Sequence, residues 1–315
     1  MDIVDATLPL VEPAVATSGW VDLDGPVHYL DFGGPASDDA PLVVCVHGLG
    51  GSAANWVALG PLLADRYRVV APDLAGFGRT RAGGRGTDLR SNEELVARFV
   101  ARFSDRPAIW VGNSMGGLIS LLAAAERPDL VAGAVLIDPA AFPRVRHRPD
   151  PLASALFAAY FVPGLGRAVV AGRRRVRTPE QTVRDMLGLC CADAGRIEPS
   201  VAQAHVRMAR ERVGLRGIER EFEVAARSVL RVIGRRQKMH ALVAGVRVPV
   251  MVIHGDRDRL VPLGAAAALA AANPQWAFVV ARDVGHLPML EVPQWTAEQI
   301  RQWWAEVGEP RIGPG

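Results

Sequence analysis

The chain has 315 residues, half of them apolar and 22% charged, enough to bury the core of one large α/β domain with an insertion or of two small domains. Its formal net charge of +3 is close to neutral for this size, so no polyanionic partner is indicated and no nucleic-acid binding is expected. Three cysteines, two of them adjacent at Cys190 and Cys191, exclude a disulfide framework, and no uncharged apolar stretch is long enough for a spanning helix. The segment Met1 to Trp20 carries acids but no Lys or Arg, unlike a secretory signal, and a reduced cytoplasmic protein is expected.

In chain order, the first strand is predicted at Val27–Phe32, where polar and apolar residues alternate before Gly33-Gly34. Leu42–Val46 reads as a fully buried strand ending at His47-Gly48, followed by a helix from about Trp56 to Arg66 and a strand at Tyr67–Ala71. Ser91 with Glu94 three residues later predicts a capping box. A strand follows at Pro107–Val111 and another at Val131–Ile137. The strand rhythm then stops. Residues 141–245 contain 19 arginines and one lysine against nine acids, a net +11 on helical stretches, which marks a separate module. Strand patterning resumes at Val248–Gly255, then an alanine-rich helix at Leu263–Ala272, a strand at Trp276–Ala281 and a helix from about Pro293 to Val307. Strands alternating with helices imply a mostly parallel sheet covered by helices.

Gly112-Asn113-Ser114-Met115-Gly116 lies between an apolar strand and a small-residue helix. In that context G-x-S-x-G puts a serine on a sharp turn beside the free N–H groups of a helix start, which stabilise an anion. Gly112 and Gly116 allow strand and helix to pass closely. A serine hydroxyl becomes a nucleophile only when a base takes its proton and an acid orients that base. Asp258 and His286 follow the last two predicted strands, and in a parallel sheet such loops emerge at one edge. Competing readings are His254 as base, Asp256 or Asp138 as acid, and Trp56 as a pocket wall rather than a packing aromatic. His28, His147, His205 and His240 carry no motif and read as surface or packing residues, and Asp73 as the anchor of a Gly-rich turn.

With His47-Gly48-Leu49-Gly50-Gly51, Asp73-Leu74-Ala75-Gly76-Phe77-Gly78, Gly112–Gly117, Gly255–Pro262 and Gly285-His286 in that order, the chain resembles an α/β-hydrolase-fold serine hydrolase with a helical cap over residues 20–307. The resemblance implies an eight-stranded, mostly parallel sheet, with 1–140 and 246–315 as the core and 141–245 as the cap. It also implies Ser114 as nucleophile, His286 as general base then acid, and Asp258 as the orienting acid. The backbone N–H groups of Leu49 and Met115 would form the oxyanion hole, with His47 shaping that loop. No cofactor and no metal are implied. The expected activity is hydrolysis of a carboxylic ester through an acyl-enzyme, on a lipophilic or medium-chain small molecule. The alternatives are carbon–carbon bond hydrolysis of a vinylogous diketone and a hydrolase-fold receptor or scaffold with little turnover. Leu49-Gly50-Gly51-Ser52 and Leu287 depart from the carbon–carbon hydrolase pattern, and Ser114 departs from the aspartate nucleophile of dehalogenases. The uncharged stretch Leu152–Gly166, flanked by Arg167, Arg173, Arg174, Arg175 and Arg177, suggests an acyl site with transient membrane or acyl-carrier contact.

Overall fold

The computed structural model describes residues 16–37, 39–140, 162 and 164–308. Eight strands form one sheet in the order β1-β2-β4-β3-β5-β6-β7-β8: β1 Thr17–Asp22, β2 Pro26–Gly33, β3 Leu42–Val46, β4 Arg68–Pro72, β5 Ala108–Asn113, β6 Val131–Ile137, β7 Val250–Gly255 and β8 Ala277–Ala281. β3 to β8 pair in parallel, whereas β2 runs antiparallel to both β1 and β4. The interior strands read as unbroken apolar runs because helices cover both faces of a parallel sheet. Along β3, Val44 and Val46 enter one core cluster with Trp110, Leu118 and Phe99, and Val43 and Cys45 enter the other with Trp56, Ile109 and Trp303.

Strand β1 was not expected. Four of its six residues are exposed or polar, and as the edge of the sheet it is specified by pairing with β2 rather than by burial. The expected helix from Trp56 is also replaced. A 3₁₀ turn, Ala53–Trp56, is closed by a reciprocal Ser52/Asn55 capping box, and a single turn α1, Gly60–Leu63, follows. Trp56 is fully buried in the core and is a packing aromatic. The helix expected to start at Ser91 starts one turn earlier. In α2, Leu89–Phe103, Asp88 is the cap, its Oδ1 accepting the N–H groups of Arg90 and Ser91. A carboxylate at this position also complements the helix dipole, so Asp88 outcompetes Ser91. Glu94 pairs with Arg127 instead.

Between β6 and β7 lies a helical insert: α4 Leu165–Val176, α5 Pro179–Cys190, α6 Pro199–Glu211, α7 Ile218–Gly234 and α8 Arg236–Gly245, with α3 Met115–Glu126 preceding β6. Within it α5 packs on α6 and α4 on α7, while α6 meets the 53–56 turn, α7 meets α2 and α8 meets α3. Most of Leu152–Gly166 lies outside the described residues; Val162 and Gly164–Gly166 are the part described. Of the five arginines that flank it, four pair inside the insert: Arg167 with Glu223, Arg174 with Glu219, and Arg173 and Arg177 with Asp185. Among the described residues no helix is long and apolar enough to cross a membrane. The chain ends in α9 Leu263–Ala271, α10 Pro288–Glu291 and α11 Pro293–Val307.

His205 on α6 is buried, its Nε2 has no hydrogen-bond partner, and burial pulls it from 6.5 down to about 4. The unfolded chain therefore binds a proton near pH 6.5 that the folded chain refuses until about pH 4. Stability falls as pH drops through that window, by roughly 3 kcal/mol in all. In His205→Leu, urea melts at pH 7 and pH 4 should differ by that much less than in the wild type. An unchanged difference would rule out this source of acid sensitivity.

Candidate active site

Ser114 caps α3 at the end of β5 with φ 55° and ψ −113°, a conformation non-glycine residues rarely hold. The surroundings enforce it. The Ser114 N–H donates to Ile137 O (2.9 Å), and the Ser114 carbonyl accepts the N–H groups of Leu118 (3.1 Å) and Ala140 (3.0 Å). Gly116 lies so close beneath β3 that a Cβ would overlap Val46 O. The first-turn N–H groups of α3, Met115 foremost, have no carbonyl four residues earlier within the helix.

Leu49 follows β3 on a turn drawn against the serine: a Cβ on Gly48 would lie 3.1 Å from Ser114 Cβ. His47 fixes this turn. Its Nδ1–H donates to Gly48 O (2.8 Å), its Nε2 accepts the Leu74 N–H (3.0 Å), and burial lowers its pKa so that it stays neutral.

The loops after β7 and β8 bring Asp258 and His286 together, with His286 Nδ1 2.7 Å from Asp258 Oδ2. Asp258 Oδ1 accepts the N–H groups of Leu260 (2.7 Å) and Val261 (3.0 Å). Burial alone would raise the Asp258 carboxyl, but the His286 imidazole and these donors hold it below its ordinary value. An ionised acceptor here keeps the proton of His286 on Nδ1 and leaves Nε2 to act as a base. His286 is tied to β5, the strand that leads into Ser114, through its carbonyl, which accepts Asn113 Nδ2 at 3.0 Å. Asn113 therefore has a structural role that its place as the x of G-x-S-x-G did not disclose. Among the described residues no hydrogen bond joins Ser114 Oγ to His286.

The competing residues fall elsewhere. His254 lies fully buried under the acid, its Nε2–H on Val261 O (3.0 Å), and burial lowers its pKa. Asp256 makes no hydrogen bond or ion pair with His286 among the described residues; its N–H donates to Ala281 O. Asp138 is fully buried and accepts Gly255 N–H (3.0 Å), and burial together with the charge of Asp258 pushes its carboxyl well above its ordinary value. Asp138, His254 and Asp258 offer ligand atoms within 4.8 Å of one another, yet Asp258 is committed to His286 and His254 to Val261.

A second Ser–His–Asp chain is present. Ser18 Oγ lies 2.8 Å from His28 Nε2, and His28 Nδ1 lies 2.7 Å from Asp73 Oδ2. Arg79 Nη1, which can only donate, lies 3.2 Å from the same Nε2. Ser18, however, stands on the exposed edge strand, and the N–H groups that open the nearby 53–56 turn are already taken, Ala53 by Asp73 and Ala54 by Ser52. Asp73 also accepts the N–H groups of Ala53 (2.7 Å) and Arg79 (2.8 Å). This network anchors the turns flanking β4, as expected for Asp73, and makes His28 a buried hydrogen-bonding residue.

The protein is 28% identical over 284 residues to the dihydrolipoyllysine-residue acetyltransferase component of the acetoin cleaving system of Cupriavidus necator, covering 89% of this chain and 67% of that one. It is 27% identical over 264 residues to the pimeloyl-[acyl-carrier protein] methyl ester esterase of Yersinia pseudotuberculosis, covering 82% of this chain and 91% of that one. Its fold superposes on a bacterial membrane phospholipase A with a TM-score of 0.69 at 25% identity, over 94% of this chain and 88% of that one. The family model described as alpha/beta hydrolase fold matches residues 41–293, from just before β3 to the first residue of α11, and the chain belongs to that family.

Proposed function

We propose that the protein is a serine esterase that cleaves a carboxylic ester of a lipophilic or medium-chain small molecule. The observation that carries this reading is the 2.7 Å hydrogen bond from His286 to Asp258, beside a serine held in a strained turn at a helix start. Ser114 Oγ attacks the ester carbonyl while His286 Nε2 takes its proton. The oxyanion that forms is met by the N–H groups of Met115 and Leu49, each such donor being worth about 10²–10³ in rate. The proton passes to the leaving alcohol, and a water activated by His286 then releases the acid and restores Ser114. No step calls on a cofactor or metal. Support for the ester reading comes from the relative named as a methyl ester esterase and the structure named as a phospholipase A.

The insert, read as a cap with its basic excess, would meet anionic lipid headgroups or an acyl carrier while an ester is delivered. Because four of the five flanking arginines are paired inside it, this contact rests on net charge rather than on unengaged side chains.

Hydrolysis of p-nitrophenyl esters from acetate to palmitate tests the substrate reading. The expected profile has its highest kcat/KM at a chain of intermediate length. Turnover of none of the esters, or activity only on a vinylogous diketone, would overturn it.

A further inference from the structure

The general base is held from the insert as well as from the core. Glu291, on α10 five residues past His286, is buried. Its Oε1 accepts the Gly285 N–H (2.7 Å), and its Oε2 accepts the N–H groups of Ala192 (3.0 Å) and Asp193 (3.0 Å), with Ala192 also within 3.2 Å of Oε1. One carboxylate thus joins the residue before His286 to the segment that leaves α5. The same segment takes hold of His286 directly, Cys190 O accepting the His286 N–H at 2.6 Å. Gly285 fits under this clasp for lack of a side chain, since a Cβ would overlap Cys190 O.

Two more bonds reach the neighbouring loops. Arg259, next to the acid, donates to the carbonyls of Gly188 and Cys191, and Arg196 donates to Asp283 O (2.7 Å). The loops of both acid and base are therefore fastened to residues 188–196 of the insert.

We propose that Glu291 is a positioning residue for His286, locking the base's loop to the insert so that the imidazole stays on Asp258 and toward Ser114. A buried carboxylate without these N–H groups would be costly, and the N–H groups without it equally so, which makes the joint all-or-none. Glu291→Gln keeps the shape but exchanges one acceptor oxygen for an NH2 group that opposes the amide donors. The groups facing His286 remain Asp258 from the β7 loop and His254 beneath it.

The inference rests on His286 being the base that activates Ser114, and its test separates the two. An alkyl fluorophosphonate forms a bond from Ser114 Oγ to phosphorus, fluoride leaves, and His286 takes the serine proton. Intact mass and peptide mapping follow this without any ester being turned over. Wild-type labelling at Ser114 is expected, and its absence would remove the base reading itself. Given that labelling, Glu291→Gln should lower the maximal labelling rate about 10–100-fold, the scale of a misplaced catalytic group, with the probe's half-saturating concentration within about threefold. A lowered melting temperature with an unchanged maximal rate would mean a purely structural role and overturn the proposal. Should Glu291→Gln not fold, Ala192→Pro decides. It deletes the N–H shared by both oxygens, and Cys191 already has the extended backbone (φ −93°, ψ 149°) that precedes proline. The same fall in maximal rate is expected there, and an unchanged rate overturns the proposal.

Discussion

Ser114→Ala should lower kcat on the best p-nitrophenyl ester by about 10⁴–10⁶-fold while leaving the melting temperature within a few degrees of the wild type. Loss of the Oγ removes the only step in which a covalent bond to the substrate forms. The oxyanion donors remain, because both are backbone groups, and they account for the residual rate over water. Stability should hardly fall, and none of the catalytic loss should come from unfolding: the Ser114 side chain makes no capping bond to α3, so alanine forfeits no hydrogen bond there. The measurement is single-turnover kinetics with a fluorogenic ester, checked against thermal melts. Activity within tenfold of wild type would refute the assignment of Ser114 as nucleophile.

The second large effect separates two buried aspartates that composition alone treats alike. Asp258→Asn should cost about 10⁴-fold in kcat, since an amide in place of the carboxylate can present its NH2 to His286 Nδ1 and favour the wrong tautomer. Asp138→Asn should cost less than about tenfold. Burial and the charge of Asp258 favour the neutral form of Asp138, and a carboxamide keeps both its shape and an acceptor for the Gly255 N–H. The pair of variants is informative together, because both carboxyl groups are buried, one directly after β6 and one in the loop after β7, and both lie near His254. Equal losses would mean that the two carboxyls share the role of orienting acid. A larger loss in Asp138→Asn would reverse their assignment.

Much of this was legible from residue order. The strands Leu42–Val46 and Val131–Ile137 and the helix Pro293–Val307 have the bounds expected for them, because each is bracketed by turn residues or proline and buried on the faces its pattern requires. Asp258 and His286 could be brought together in advance because parallel strands deliver their following loops to a single edge. What escaped was whatever depends on partners distant in sequence. Edge strand β1 has little apolar patterning of its own and exists through its ladder with β2. The cap of α2 was misassigned because Asp88 and Ser91 are both good cap residues, and only the chain's path between them decides. Glu291 looks in sequence like an ordinary acid at the end of one helical turn. Its partners, Ala192 and Asp193, lie 99 and 98 residues away, beyond any local pattern.

Ten of the twelve residues of α3 are buried, among them Met115, Leu118 and Ile119, and the helix touches β3, β5, β6, α2 and α8. A helix sealed on all sides opens to solvent only when the surrounding core opens, so its amides should belong to the slowest-exchanging class in the molecule. The strained turn at its head is then maintained by global folding and not by local contacts that come and go. On the proposed mechanism, the Met115 N–H is then set before any ligand arrives and need not reorient during the reaction. Adaptation to different ligands is left to the parts of the molecule that open more cheaply.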